Sequence, residues 1–568
     1  MKKTLKRYLP FIKEYKLQYF LVFVGILLTV SATAGTAYIM QPMMDEMFIK
    51  QKKEYMYIIP IALIVLYIIK SLGRYLQSVM MGYIGTHIIS RFRQMLLEKI
   101  ISLDMAFLYV NKSGELISRI TNDVQRVQYF VSNLLADFVR EGLSVIALIG
   151  YVLYLNYHLA FYAFVVVPLV VYPLFYVAKK LKKYSHRSQE KNADVVFALT
   201  EIFNNVEMIK ASATEEKEIE HFEEENWKFF KINMKSIYVG EIVSPFLEIS
   251  GAIGIALIIY IGGNEVYEGR MSTGEFIAFL TAVGLVFKPI KLLGQIYSKI
   301  QDAIAASERI FEILDTQSKI KDGQKELQKI EKIEYKDVVL EYEGYNLLDG
   351  VNCTISQGEH VALVGESGGG KSTFIQMLLR YYDPKSGAIY INDEDIKSYT
   401  LTSLKSKIAF VTQRVYIVSG TVASNVAYGV EKIDKERVIE ALKVANALEF
   451  VTELGGIDAI LEEGGSNLSG GQRQRIAIAR AVYKKAELYL FDEATAALDN
   501  ESEALIQAAL KHLTKEKITI TVAHRLSTIQ DADRIFVFIQ GKIVCQGRYE
   551  ELLKNCPHFQ RLAGELAN

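Results

Sequence analysis

The sequence predicts a multidomain fold: an all-α domain of six transmembrane helices with cytosolic helical extensions, fused to an α/β domain. Three observations predict it. Long apolar runs crowd the first half of the chain, near 17–40, 55–80, 132–155, 158–178, 240–262 and 274–298. Each is close to or above the ~20 residues that carry an α-helix across ~30 Å of hydrocarbon. From about residue 330 the pattern changes to short β-rich runs such as HVALVG, KIAFVTQ, ELYLFDE and TITVAH, alternating with helical stretches. Such alternation predicts a largely parallel sheet flanked by helices. Finally, the glycine-rich stretch GESGGGKST, residues 365–373, lies between an apolar strand and a helical run.

The elements follow in chain order. The opening MKKTLKRYLPFIKEYK is basic, and the apolar run after it is longer than the core of a secretory signal. Six crossings put both ends of this half on one side. Lysines in the opening segment and in Lys179-Lys180-Leu181-Lys182-Lys183, with Arg91 and Arg93, mark that side as cytosolic. The outer loop FIKQKKEY runs against the rule, so orientation rests on the balance. Two long cytosolic stretches keep helical spacing, as in RFRQMLLEKIISLDMAFL, and are expected to continue the membrane helices outward. Asn156-Tyr157-His158 is the only polar break between runs three and four and predicts a tight outer hairpin. The expected domains are 1–315 for the membrane half, a linker at 316–329, and 330–568 for the α/β half.

Composition agrees. The chain is 51% hydrophobic, and its mean hydropathy of +0.16 is high for a soluble protein. Lys plus Arg and Asp plus Glu both number 65, so bulk charge gives nucleic-acid binding no support. Cys353, Cys545 and Cys556 lack metal-ligand spacing and fit a reducing compartment, with neither a disulfide frame nor a zinc site.

The glycine loop carries the first chemistry. Gly365, Glu366, Ser367, Gly368, Gly369, Gly370, Lys371, Ser372 and Thr373 form a phosphate loop in the strand–loop–helix context it requires. Its glycines let backbone N–H groups curl round phosphate oxygens, and the helix N-terminus adds partial positive charge. Lys371 would neutralise β- and γ-phosphates, and Ser372 would place a hydroxyl on Mg²⁺. In LYLFDE, residues 488–493, Asp492 would hold the metal through water and Glu493 would act as general base on the attacking water. A strand-end Asp-Glu alone is more often solvated surface; beside a phosphate loop it reads as catalytic.

LSGGQ, Leu468-Ser469-Gly470-Gly471-Gln472, decides the family. Phosphate loop, LSGGQ and FDE in this order resemble the ATP-binding cassette family across 330–568. The resemblance implies further roles: Gln413 as the Q-loop residue near Mg²⁺, Leu498-Asp499 as the D-loop, His524 as the switch histidine on the γ-phosphate, and Tyr342 as the aromatic on adenine. Gly369 departs from the family's common serine, a neutral change in a loop that works through its backbone. In this family each ATP is sandwiched between one chain's phosphate loop and the partner's LSGGQ, which implies a homodimer with two equivalent sites. Six crossings fused to one cassette resemble the exporter branch. SGELISRITND (113–123) resembles the stretch after its first intracellular coupling helix, TEIFNNVEMIKASATEE (200–216) its second coupling region, and ASERIFEILD (306–315) the exit from the sixth helix.

One stretch stays unexplained by ATP chemistry. LADFVREGLSVIALIGYV, residues 135–152, carries Arg140 and Glu141 in a membrane run. The plain reading pairs Arg140 with Asp137, three residues away. The sharper reading groups Arg140 with Lys70, Lys288 and Lys291. Intramembrane charges face cavities and mark substrate paths, so this excess of cations points to an anionic, phosphate-bearing substrate. QPMMDEMF, Lys70, VREGLS and FKPIKLL resemble the lipid A flippases of Gram-negative bacteria. The resemblance implies a homodimer in the cytoplasmic (inner) membrane that takes lipid A or lipid A-core from the bilayer. A multidrug exporter and a lipid-linked oligosaccharide flippase share the architecture and stand as alternatives.

Overall fold

The computed structural model describes residues 7–8, 10, 13–342, 344–492, 516–523 and 529–567. It divides into two compact units, residues 1–98 with 117–314, and residues 99–116 with 315–568.

The first unit is helical. Among the described residues, Lys16–Ile49, Tyr55–Ser102, Ser113–Leu155, Glu248–Tyr267 and Thr273–Asp315 are long and apolar enough to cross a membrane. The fourth apolar run lies within the helix Tyr157–Asn204. Tyr55–Ser102 has 48 residues, about 70 Å at ~1.5 Å per residue, more than twice the hydrocarbon thickness. The expected continuation of membrane helices into the aqueous phase is therefore what forms. In that helix Ile61, Ile64, Tyr67, Ile68 and Leu72 are exposed on the outside. So much contiguous exposed apolar surface is more than a soluble monomer leaves to water.

Capping fixes the connections. Asn156 turns the tight hairpin between the third and fourth apolar runs by accepting the Leu159 N–H through its side-chain oxygen at 2.9 Å. In QPMMDEMF the chain winds as a π-helix over Met43–Ile49. Its Asp45 accepts Ser272 Oγ–H at 2.6 Å and Gly274 N–H at 2.8 Å, which caps the helix Thr273–Asp315. Nearer the other end of that helix, Arg309 grips the buried Asp123 with two N–H groups at 2.9 and 2.5 Å. Arg119 adds a third at 3.1 Å.

Among the described residues the second unit holds twelve strands: β1 (Lys332–Tyr342), β2 (Tyr345–Ser356), β3 (His360–Gly365), β4 (Ser386–Ile391), β5 (Glu394–Asp395), β6 (Ile408–Val411), β7 (Gly420–Thr421), β8 (Ile460–Leu461), β9 (Leu488–Asp492), β10 (Ile518–Val522), β11 (Arg534–Ile539) and β12 (Lys542–Gly547). Six form a sheet in the order β12-β11-β3-β10-β9-β6. All its neighbours pair in parallel except β11 with β12. Strands β3, β9 and β10 are buried almost throughout, as parallel strands covered on both faces must be. An antiparallel sheet, β2-β1-β4-β5, stands beside it.

Two expectations change here. The stretch 316–329, read as a polar linker, is packed. Leu327 joins the core with Ile330, and the N–H groups of Gln324 and Lys325 bond Ser398 O at 2.9 Å. Polar residues masked this because the stretch is fixed through its backbone. Cys545 and Cys556, expected as separate thiols, are joined in a disulfide. Their eleven-residue separation gave no pairing signal; the fold brings a strand and a helix end together.

Asp123→Ala is expected to leave Arg309 and Arg119 facing a buried gap. The loss is about 2–3 kcal/mol, below the ~3–5 of a fully buried pair because Arg309 keeps part of its side chain in water. Thermal unfolding in detergent of Asp123→Ala, Arg309→Ala and the double variant measures it. Additive losses in that cycle would mean the pair contributes no coupling.

Candidate nucleotide site and basic helix cluster

In a parallel sheet all strands end on the same edge. The phosphate loop leaves β3, Asp492 closes β9, Gln413 follows β6, and β10 ends at Val522. Residues far apart in sequence are thus delivered to one rim. The direct evidence of convergence is Ser372 Oγ, which donates to Asp492 Oδ1 at 3.1 Å.

The loop itself is shaped by backbone demands. Gly365 has φ +148°, and a Cβ there would lie 2.2 Å from Phe538 O. Gly370 has φ +104° and is the N-cap of the helix Lys371–Leu378. Both positions exclude a side chain. Gly369 N–H donates to Glu366 O at 3.1 Å, and Gly541 N–H donates to Gly369 O at 3.0 Å. The loop is closed on itself and stapled to the β11–β12 turn. Lys371 is buried, and its ammonium donates to Gly365 O at 2.8 Å and Glu366 O at 2.9 Å. A charge buried against its own loop's carbonyls is positioned for an anion that the loop encloses. Glu366 forms an ion pair with Arg561, a residue 195 positions away that no local pattern links to the loop. Ser367 and Gly368 complete the turn, with Gly368 at φ +78°, and Thr373 lies in the first turn of the helix.

Tyr342 ends β1 half-buried, in edge contact with Tyr382 at 6.1 Å between ring centres. Burial first, then the nearby Tyr109, Tyr342 and Asp104, push the Tyr382 phenol up to about 12. Tyr109 and Asp104 come from the short helix Met105–Val110 and its N-cap. Asp104 also accepts Lys319 N–H at 2.7 Å. Sequence reasoning placed a coupling element here without seeing that Tyr382 stands between it and Tyr342.

The signature stands on a separate core. Ser469 caps the helix Gly470–Lys484: its Oγ accepts Gln472 N–H at 3.2 Å, and Gln472 Oε1 accepts Ser469 N–H at 2.9 Å. This reciprocal pair leaves Ser469 and Gly470 exposed at a helix N-terminus, while Leu468 and Gly471 are buried. The cluster beneath them includes Leu468 and Ile476; the one beneath the phosphate loop includes Phe374 and Leu363. Glu493, Asp499 and His524 lie outside the described residues. Gln413 is exposed after β6.

Of the membrane cations, Arg140 is held tightest. Its Nε and Nη2 donate to Glu141 Oε1 at 2.9 and 2.6 Å. Nη1 lies 2.9 Å from Asp137 Oδ1 and donates to Gln77 Oε1 at 3.1 Å. Asp137, the partner expected from helical spacing, is joined by adjacent Glu141, whose carboxylate folds back onto the longer guanidinium. Lys70 lies within electrostatic reach of Lys288, Arg74 and Glu141. Arg74 was missed, although it stands one helical turn beyond Lys70 on the same face. Lys288 and Lys291 are exposed. The cluster therefore joins Lys70, Arg74 and Lys288 beside Arg140, which its carboxylate partners hold; among the described residues no contact brings Lys291 to it.

Comparison with known proteins adds the lineage. Residues 19–290 match the family model "ABC transporter transmembrane region", and residues 348–496 match "ABC transporter". The ATP-dependent lipid A-core flippase of Syntrophus aciditrophicus is 36% identical over 561 residues, 98% of this chain and 93% of its own. That of Desulfotalea psychrophila is 36% identical over 99% of both chains. That of Vibrio cholerae is 32% identical over 97% of this chain and 96% of its own. A solved bacterial Atm1-family ABC exporter with ATP bound shares the fold, with a TM-score of 0.80 at 24% identity over 97% of this chain and 98% of that one. The chain belongs to the ABC transporter family, as an exporter that carries its transmembrane region and its transport-coupled, ATP-binding ATPase in one polypeptide.

Proposed function

We propose that this exporter works as a homodimer in the cytoplasmic (inner) membrane, both termini cytosolic, and flips lipid A or lipid A-core from the inner to the outer leaflet. The observation that carries the substrate is likeness over nearly the whole chain to flippases of that name. The cation cluster supports it physically. Lys288 and Arg74 each oppose the charge of Lys70, and an anionic headgroup offsets that repulsion where water is scarce. Arg140, saturated by carboxylates, serves as the frame of this cluster rather than as its free hand.

The domain reading is 1–315 for the membrane half, 316–329 as connector and 330–568 for the cassette. A phosphate loop and a signature on separate cores suit a site completed by a second chain, with Leu468–Gln472 reaching the partner's ATP. Lys371 and the loop N–H groups hold the phosphates, Tyr342 holds adenine, and Glu493, His524 and Asp499 complete the hydrolytic rim. The residues present fit Mg²⁺: Ser372 and Asp492 offer two adjacent oxygens, with Gln413 as a third donor, and a small hard cation takes few protein ligands beside phosphate and water. Bound there, it would neutralise charge between the β- and γ-phosphates. ATP binding favours joined cassettes and hydrolysis releases them, so the ligand shifts the membrane halves between two accesses.

In proteoliposomes, Glu493→Gln is expected to keep ATP binding, lower the hydrolysis rate about 10²–10³-fold and abolish lipid transfer between leaflets. Transport that persisted would remove Glu493 from the mechanism.

Lipid A is expected to stimulate the wild-type ATPase. Lys70→Ala with Lys288→Ala should raise the half-saturating lipid A about tenfold or more. Lys70→Arg should retain most of the response. Stimulation by cationic drugs or a lipid-linked sugar, without a lipid A response, would keep the exporter and replace the substrate.

A further inference from the structure

The Cys545–Cys556 disulfide stands at an unusual place for a cysteine pair. Register connects it to the phosphate loop. Cys545 on β12 lies opposite Val537 of β11, and Val537 lies opposite Val364 of β3, the residue before Gly365. Cys556 ends the helix Tyr549–Asn555 and precedes the helix Pro557–Ala567. That last helix buries Phe559 and Leu562 in one cluster with Ala362 and Val364 of β3. From it Arg561 pairs with Glu366, inside the phosphate loop. One covalent bond thus ties the sheet edge to the helix that supplies the loop's cationic partner.

Compartment chemistry makes the bond informative. An ATPase domain works where ATP is, in a thiol-reducing cytosol, and disulfides there are seldom permanent. Access is asymmetric. Cys545 is half-buried, whereas Cys556 is 1% exposed. A small thiolate reaches the Cys545 sulfur first. It forms a mixed disulfide and expels the Cys556 thiolate, which takes up a proton. A second small thiol then frees Cys545. The balance is one protein disulfide and two thiols giving two protein thiols and one small-molecule disulfide; oxidation is the reverse, with that disulfide as oxidant. Cys353 takes no part: burial pushes its thiol up to about 12.

We propose that Cys545–Cys556 is a reversible thiol-exchange site that fixes Arg561 against Glu366, so that its redox state sets the affinity of the phosphate loop for ATP. The proposal rests on the reading of 365–373 as the ATP site. Arg561 is a positioning residue here. Paired, it neutralises a carboxylate inside a loop that must receive a polyanion. Once the helix is untethered, Glu366 opposes the triphosphate, and binding weakens while the chemical step is unchanged.

The test uses full-length protein in proteoliposomes, poised in reduced or oxidised glutathione buffers. Maleimide-polyethylene glycol mass shifts report the thiols, and ATPase kinetics report KM and kcat. The oxidised form is expected to show a KM about two- to fivefold below the reduced form, the scale of one exposed ion pair, with kcat alike. Cys545→Ser should hold the reduced KM in both buffers. Arg561→Gln should form the disulfide yet lose the redox difference. Equal KM in verified oxidised and reduced wild type overturns the proposal, whatever the melting temperature does, as does failure of the thiols to oxidise. The wild-type comparison stands even where a variant folds poorly. Separately, hydrolysis that survives Lys371→Ala in both buffers would overturn the ATP-site reading itself.

Discussion

Backbone amides in hydrocarbon have no water to bond, and this constraint shapes the first half of the chain. Each apolar run must satisfy its own N–H and C=O groups, and an α-helix does so within one segment. Once wound, the helix continues past the membrane, because neither Tyr55–Ser102 nor Thr273–Asp315 meets a terminator at the boundary. Pro60 and Pro289 sit inside these helices and do not end them. Interruptions occur instead where a side chain takes over the orphaned groups, as Asn156 and Asp45 do. Length beyond the membrane is thus a consequence of the solvent within it.

The second half answers a different problem, how to gather distant residues without a long search. A parallel sheet does it through connectivity. Each strand runs the same way, each ends on one rim, and whatever follows the strand arrives there. Ser372 and Asp492 meet because β3 and β9 share the neighbour β10. The signature cannot arrive by this route. It begins a helix whose own cluster includes Val438 and Phe450, and its capping box stabilises an exposed N-terminus. Exposed N–H groups at a helix start suit an anion from outside the domain.

Legibility in the sequence followed this division. The apolar runs, the phosphate loop and Asp492 at its strand end were readable because each is local: a period, a glycine pattern, a run ending in Asp. The packed connector was not, since its anchors are backbone N–H groups on Ser398 O, which leave no side-chain signature. Nor were Arg561 on Glu366, or Tyr382 between Tyr342 and the Met105–Val110 helix. Those depend on register and on where an element lands. The disulfide escaped for the same reason, because its register partner is set by β11.

Arg140 shows why an intramembrane charge is not by itself a binding group. Removing a guanidinium from water is expensive, and a bare one would be a poor resident of that helix. Asp137 and Glu141 neutralise it, and Gln77 holds both Arg140 and Asp137, the latter at 3.4 Å. Lys70, on the helix Tyr55–Ser102, lies within electrostatic reach of Glu141 as well as of Arg74 and Lys288. Charge on the helix Leu135–Leu155 is thereby tied to the helix Tyr55–Ser102 through Gln77. The arginine's work is indirect: its N–H groups are taken up by Asp137, Glu141 and Gln77, which hold it within its own helix and against the helix Tyr55–Ser102.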